Sequence, residues 1–420
     1  PIPIQRGPGG QLALATWGLF VGLALLMTAG GLSATLLGVR SERVGLPTPV
    51  SSLISAAYYV GFLVGSVLTL RALGKVGHIR VYSALASVCA AAMIGIGISD
   101  TATAWVLMRV AVGICTAGLY VVAESWLNDL ATNENRGRLI GVYSVICTTF
   151  YGAGQVLLFG FSPVAVTGFA VSAILTSLAV APVALSEAAV APNLEESEHI
   201  SLRELARQVP TGVFSCLLVG VAHGALAGMA AIYATRVGLS AAQTGLFVAL
   251  PSVGGVVFQW PVASASDDVD RRAVGLAIAA ATAVVAALLA LGPASHPMAF
   301  VLVTLVGGLS YPLYTIVVAY TNDWVEPENL SAAASQMVKL YGIGAVAGPF
   351  VAGGTMSAIG PTGFQWSLAA MHIAIAVFFG YRMVSWRSPL VKRPWNEVSL
   401  PARAFFVPAT IIAIGRRRRR

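Results

Sequence analysis

The sequence predicts an all-α membrane protein, with 12 transmembrane helices in two pseudo-symmetric six-helix bundles. Three observations carry that expectation. Hydrophobic residues make up 57% of the 420 and charged residues only 10%, whereas a soluble domain carries about 25% charged residues. Twelve stretches reach the roughly 20 apolar residues a helix needs to cross a bilayer. One piece of punctuation also occurs twice: Asn128-Asp129-x-x-x-x-Glu134-Asn135 is echoed 194 positions later by Asn322-Asp323-x-x-x-x-Glu328-Asn329. Each copy closes one apolar stretch and precedes another, as expected of two halves built on one plan.

The stretches fall at 12–38, 49–73, 79–99, 103–129, 138–162, 164–185, 211–235, 240–264, 272–292, 297–322, 332–358 and 362–385. Backbone groups in hydrocarbon must be satisfied within the segment, so such runs cross as helices. Most connections are short, which makes sequential helices antiparallel hairpins. The long one carries Glu187, Glu195, Glu196, Glu198, Arg203, Glu204 and Arg207. Within it, Ser201-x-x-Glu204 has capping-box spacing and predicts a short surface helix. The chain then divides into an N-terminal bundle (1–185), a cytoplasmic linker (186–210), a C-terminal bundle (211–385) and a basic cytoplasmic tail (386–420). In the tail, 405–415 is apolar but too short to span.

Charge sets the expected orientation. The net charge is +8, and Arg416 to Arg420 supply five of the positive charges. With both termini inside, inward segments hold 20 of the 25 Lys and Arg, and outward loops hold only Arg40, Arg43 and Arg236. The excess of positive charge on the inner side predicts cytoplasmic termini in the inner or plasma membrane, with membrane lipids as partners of the basic segments. Outside the tail no basic face with interleaved aromatics points to nucleic acid. The first apolar run is too long for a signal peptide and is expected to span. Cys89, Cys115, Cys147 and Cys216 lie in apolar segments without metal-ligand spacing, as small buried hydrophobes do. No glycine-rich Lys-Ser/Thr loop or Ser-centred nucleophile motif is present. Neither an enzyme, a cofactor nor a bound metal is expected.

Chemistry should then lie with polar groups stranded in spans, where charge is costly and functional by default. Glu124 is the one acid well inside a span. It can take up a proton in one state and release it in another, or be a helix-end acid near headgroups. Arg109 lies fifteen residues away, about 22 Å along a helix, too far to pair with it. It is an anchor for helix carbonyls or a charge in a solute path. Lys339 can meet an anionic solute, pair with Glu124, or snorkel to the surface. His223 is titratable, or a satisfied packing histidine. Gln155 and Gln259 are site-lining amides or interhelical hydrogen-bonders. Tyr311, Tyr314 and Tyr320 form a cavity wall or an interfacial belt. Asp129, Asp323, Arg136, Arg138, Asp267, Arg271 and Arg272, at helix ends on the inner side, form a candidate cytoplasmic gate.

Two loops sharpen this picture. After the second stretch the chain runs Arg71-Ala-Leu-Gly74-Lys75-Val-Gly77-His78-Ile-Arg80. After the eighth it runs Ala263-Ser-Ala-Ser-Asp267-Asp268-Val-Asp270-Arg271-Arg272. With the six-plus-six repeat and the central linker, they resemble the major facilitator superfamily, whose signature loop is Gly-x-x-x-Asp-Arg/Lys-x-Gly-Arg/Lys-Arg/Lys. The second copy matches at Asp267, Arg271 and Arg272. It carries Ala263 and Asp270 where glycines are usual and Asp268 where a base is usual. The first matches at Lys75 and Gly77, with Gly74 at the acidic position. Arg109-Val-Ala-Val-Gly113 is similar to the family's Arg-x-x-x-Gly motif on the fourth helix, and Gly344-x-x-x-Gly348-Pro349 to its glycine-rich packing motifs. The resemblance covers about 12–385. It implies a secondary active transporter, working by alternating access on a small organic solute or drug-like compound, with a site near the midplane between rocking halves. Glu124, a lone intramembrane acid in a chain without an ATP-binding loop, points to proton coupling, and a monomer is expected. The competing classes are a non-transporting receptor or scaffold with this architecture, and a lipid-translocating variant.

Overall fold

The computed structural model describes residues 8–130, 136–185, 200–294, 296–326 and 329–385, with side chains omitted at 8–15, 128–129, 136–138, 140 and 331. Among the described residues, twelve helices are long and apolar enough to cross a membrane: Thr16–Arg43, Thr48–Val76, His78–Ile98, Ala102–Leu127, Gly141–Gly160, Thr167–Ala184, Pro210–Arg236, Ala241–Asp268, Arg271–Leu291, Pro297–Asn322, Ala332–Ile359 and Gly363–Ser385. They are called the first to twelfth spans. Each falls within a few residues of its predicted stretch. Twelve crossings return the chain to the face it started from, called here the terminal face; the other is the distal face. Large apolar side chains such as Val88, Leu107, Val257, Ile373 and Val377 lie exposed on the outside, a surface suited to acyl chains and not to water.

The packing repeats with a shift of six helices. In the first half, spans 1 and 5, 2 and 4, 3 and 4, 3 and 6, and 1 and 6 pack together. In the second half, 7 and 11, 8 and 10, 9 and 10, 9 and 12, and 7 and 12 do the same. The halves meet through 2 against 11, 5 against 8, and 1 against 7, pairings that the same shift exchanges. This is the two-bundle architecture that the repeated punctuation predicts.

Glycine explains how these crossings close. With no hydrophobic drive between helices in lipid, association depends on close van der Waals contact, which small residues permit. A Cβ on Gly113 would fall on the backbone oxygen of Tyr58, and one on Gly61 on that of Val110. Spans 2 and 4 are thus notched into each other. The equivalent crossing of spans 8 and 10 uses Gly254 against Thr304 and Gly307 against Pro251.

The tenth span breaks where Pro312 cannot supply an N–H. Helix Pro297–Ser310 ends and helix Pro312–Asn322 begins, and the Tyr314 N–H turns to the Tyr311 carbonyl at 3.4 Å. The Ser310 carbonyl is instead capped by His223 Nε2 at 3.0 Å, so a neighbouring span satisfies a backbone group at membrane depth. On the linker, helix Leu202–Gln208 forms as predicted, with Ser201 Oγ accepting from the Glu204 N–H. Gln336 of the eleventh span donates to the Ile200 carbonyl at 2.9 Å. All four cysteines are free, three of them buried.

Candidate functional site

Small and aromatic residues spaced three and four apart put one polar stripe on each of several spans in the first half. Span 4 presents Arg109, Val112, Thr116 and Tyr120. Span 2 presents Ser51, Ser55, Tyr58 and Tyr59, and span 5 presents Tyr151 and Gln155. Span 1 contributes Ser33, Gly30 and Met27. These stripes line a cavity of about 60 Å³, closed on the other side by Gly228, Ala231 and Ile232 of span 7 and Val248 of span 8.

Among the described residues, Arg109 is the only charged one lining the cavity. Its guanidinium lies over the Tyr58 ring, 4.5 Å from the centroid, a cation–π arrangement. Tyr58 meets Tyr59 edge to face at 5.4 Å, and Phe62 links Tyr58 to Tyr120 through centroid distances of 6.4 Å on either side. Arg109 Nε, Gln155 Oε1, Ser33 Oγ and Ser51 Oγ are buried polar atoms without a hydrogen-bond partner. Natural proteins rarely leave such atoms orphaned, and four belong to residues lining one cavity. The site therefore combines one cation, an aromatic wall and several unused donors and acceptors.

The distal end of the cavity is closed where the halves touch. Arg236, at the end of span 7, donates through Nε to Glu42 Oε1 at 2.8 Å and through Nη2 to Glu42 Oε2 at 2.6 Å. Its Nη1 donates to Thr48 Oγ1 at 2.8 Å. Nearby, Ser55 Oγ donates to the Gly228 carbonyl at 2.9 Å. Glu42 and Arg236 stand at the ends of spans 1 and 7, and nothing local in the sequence marks them as a pair.

The sequence model of the Major Facilitator Superfamily matches residues 18–240 and again 212–419. The chain belongs to the major facilitator superfamily. It is 29% identical over 338 residues to an uncharacterized MFS-type transporter, YcaD, of Salmonella arizonae, covering 79% of this chain and 86% of the relative. It is 28% identical over 344 residues to an uncharacterized MFS-type transporter, Ent638_1421, of Enterobacter, with the same coverage. The nucleoside transporter NupG has a similar structure, with a TM-score of 0.71 at 13% identity, covering 87% of this chain and 98% of that one. A bacterial homologue of the human lysosomal transporter Spinster, inward-facing and unoccupied, gives 0.69 at 17%, covering 90% and 99%. At these identities the structural likeness establishes the fold alone; membership of the family makes the chain an integral membrane protein.

Within this major facilitator fold the remaining predicted residues separate. Glu124 is 9% exposed and accepts from the Tyr143 hydroxyl at 3.2 Å. It faces the interior of the first half, one turn beyond Tyr120, and is not a wall residue of the cavity. Lys339 is half-buried and forms no hydrogen bond or ion pair with a described residue, Glu124 included. Gln155 lines the cavity. Gln259 instead donates to Thr315 Oγ1 at 2.8 Å inside the second half.

His223 lies in a separate network. Its Nε2 reaches the Ser310 carbonyl, so in the neutral ring that nitrogen is the donor and Nδ1 accepts from the Tyr341 hydroxyl at 3.1 Å. Ser310 Oγ lies 2.8 Å from His372 Nε2, and His372 Nδ1 lies 2.7 Å from the Leu368 carbonyl. Tyr311, Tyr314 and Tyr320 are buried inside the second half. They are not among the residues that line this cavity, and their burial does not suit an interfacial belt.

At the terminal face, Arg271 binds Asp323 through Nε at 2.8 Å and Asp267 through Nη1 at 3.1 Å. Asp270 caps the ninth span and pairs with Arg272, whose Nη1 donates to the Arg382 carbonyl at 2.8 Å. These bonds join spans 8, 9, 10 and 12. These bonds lie within one half, which span-end residues read from sequence alone do not reveal. The side chains of Asp129, Arg136 and Arg138 lie outside the described residues, as do Glu134, Asn135 and Glu328.

Proposed function

We propose that this protein is a secondary active transporter that carries a small organic solute or drug-like compound across the cytoplasmic (inner or plasma) membrane by alternating access, as a monomer with both termini cytoplasmic. The observation that carries this reading is the cavity between helices of both halves, sealed at the distal face by the Glu42–Arg236–Thr48 fork. A ligand held there touches both halves, so closing on it from either side changes contacts that each half makes. In this reading the linker separates two units, 1–185 and 211–385, that rock against each other. Membership of the family and the transporters among its relatives support the transport class. The distribution of Lys and Arg supports the orientation.

We further propose that transport is coupled to protons through Glu124. A carboxyl inside the bundle, held by a phenol and one turn from the cavity, is a group whose charge is costly unless neutralised. Its partner Tyr143 lies on span 5, which also carries Tyr151 and Gln155 to the cavity wall, so loading Glu124 and filling the cavity act on the same helix. To test this, proteoliposomes containing Glu124→Gln are compared with the parent for solute uptake, with and without a pH gradient. The parent should lose most of its uptake when the gradient is collapsed, and the variant should be indifferent to it. A variant that responds to the gradient as the parent does removes Glu124 from the coupling path.

A further inference from the structure

We infer that the cavity selects organic monoanions with a flat, unsaturated body, and that Arg109 is the residue that takes the anionic group. The inference rests on the proposed transport site and names its substrate class.

Arg109 enters span 4 seven residues from its distal end, roughly 10 Å into the helix. A guanidinium at that depth has three ordinary fates. It can pair with a carboxylate, cap helix carbonyls, or snorkel to the surface. Arg40 shows two of them: it donates to the Ile96 and Gly97 carbonyls and pairs with Asp100. Arg109 does none of these among the described residues. Its Nε is buried without a partner among the described residues, and its guanidinium carbon lies 4.5 Å from the Tyr58 ring centroid, at the wall of the cavity. The ring holds the cation in place, and the unused N–H groups suit a planar, two-oxygen anion, the group with which an arginine fork pairs most strongly.

Among the described residues no acid lines the cavity to neutralise Arg109. A cationic solute would meet an unopposed positive charge in a low-dielectric setting, and a neutral one would leave the guanidinium unpaired. One anionic group matches one cation, whereas a second would be buried without a counter-charge. The rest of the wall defines the body. Tyr58, Tyr59, Tyr120 and Tyr151 present ring faces and edges, which favour a flat π-system. Gln155, Ser33 and Ser51 supply the hydrogen-bonding positions for polar substituents at its edge.

The test uses the purified full-length chain in detergent and probes sharing one ring system: 2-naphthoate, 2-naphthamide, 2-naphthylmethylammonium and naphthalene-2,6-dicarboxylate, with cyclohexanecarboxylate as the non-aromatic anion. Binding is read as thermal stabilisation and as calorimetric affinity. We expect 2-naphthoate to bind about tenfold or more tightly than the amide, the cation and the dianion, the scale of one charge-assisted pair. It should also outbind cyclohexanecarboxylate severalfold. Arg109→Gln should bring naphthoate and amide within about threefold of each other while amide binding persists, which shows that the variant is folded. Arg109→Lys should keep part of the charge preference, because it retains the cation without the fork. Equal affinities across the probes in the parent, no binding of any probe at millimolar concentration, or an unchanged preference in Arg109→Gln each overturns the assignment. Counterflow in proteoliposomes separates the two readings. Naphthoate that binds with Arg109 dependence but shows no counterflow removes transport and leaves the anion site. Counterflow of the cation alone removes the anion site and leaves transport.

Discussion

Replacing Glu42 with Gln should open the distal face. The fork contains two charge-assisted hydrogen bonds, at 2.8 and 2.6 Å, with a third from the same guanidinium to Thr48. A hydrogen bond to a charged group contributes about 1.5–3 kcal/mol. Glu42 and Arg236 retain 19% and 21% of their side-chain exposure, so solvent screens part of the attraction. Glutamine also keeps one acceptor for the guanidinium. We therefore assign the loss a value of about 2 kcal/mol, which corresponds to a shift of roughly 30-fold in the ratio of distal-open to distal-closed molecules. If about 1% of the parent is distal-open, about a quarter of the variant should be. Spin labels at Val44 and Ile359, exposed near that face in the first and second halves, report the change as a second, longer distance population. Thr48→Val removes only a neutral acceptor and should shift the ratio by several-fold at most. The contacts of Ser55 with Gly228 and of Gly38 with Ala231 remain in both variants. A change of less than about threefold in Glu42→Gln, or an equal response in Thr48→Val, would refute the view that this ion pair governs closure.

Two further outcomes follow from packing and buried charge. Gly113→Ala places a methyl against the Tyr58 carbonyl and should destabilise the protein by about 1–3 kcal/mol in detergent unfolding. Gly152→Ala, whose Cβ meets nothing within 4 Å, should be neutral or stabilise by up to about 1 kcal/mol; the same sign for both would show that the notch at spans 2 and 4 is not the cause. Asp323→Ala leaves Arg271, 1% exposed, without its fully buried partner. The expected loss is about 3 kcal/mol, the low end for a broken buried pair, because Asp267 still reaches the guanidinium. Adding Arg271→Met should restore much of that stability, and a double variant as unstable as the single one would count against the pairing.

The fold was largely legible in the chain because lipid makes the sequence rule simple. A span must be apolar for about 20 residues and must satisfy its own backbone, so length and composition mark each helix. Duplication then left the Asn-Asp punctuation in both halves. The capping spacing at Ser201 gave the linker helix for the same local reason. The functional residues were legible only in part. Arg109, Gln155 and Glu124 stand out as polar letters in apolar runs, and the structure puts the first two on one cavity wall and the third behind it. Tyr58, Tyr59, Tyr120 and Tyr151 did not stand out, because a tyrosine in a span is equally at home in a core, a belt or a pocket. His223 was conspicuous for a different reason: it caps the Ser310 carbonyl freed by the break at Pro312, while His372, which no local pattern links to it, meets the hydroxyl of the same serine.

By itself, then, the sequence determined the number of spans, their antiparallel order, the twofold plan and which polar groups enter the membrane. These properties depend on residues within one helix or one loop. The tertiary structure alone decided which of those groups share a cavity, that Arg109 faces it without an acid, that Glu42 meets Arg236 across the halves, and that Arg271 is clamped within one half. Each of those is set by the rotation of one helix against another, a matter of close packing between residues that can lie nearly two hundred positions apart, as Glu42 and Arg236 do.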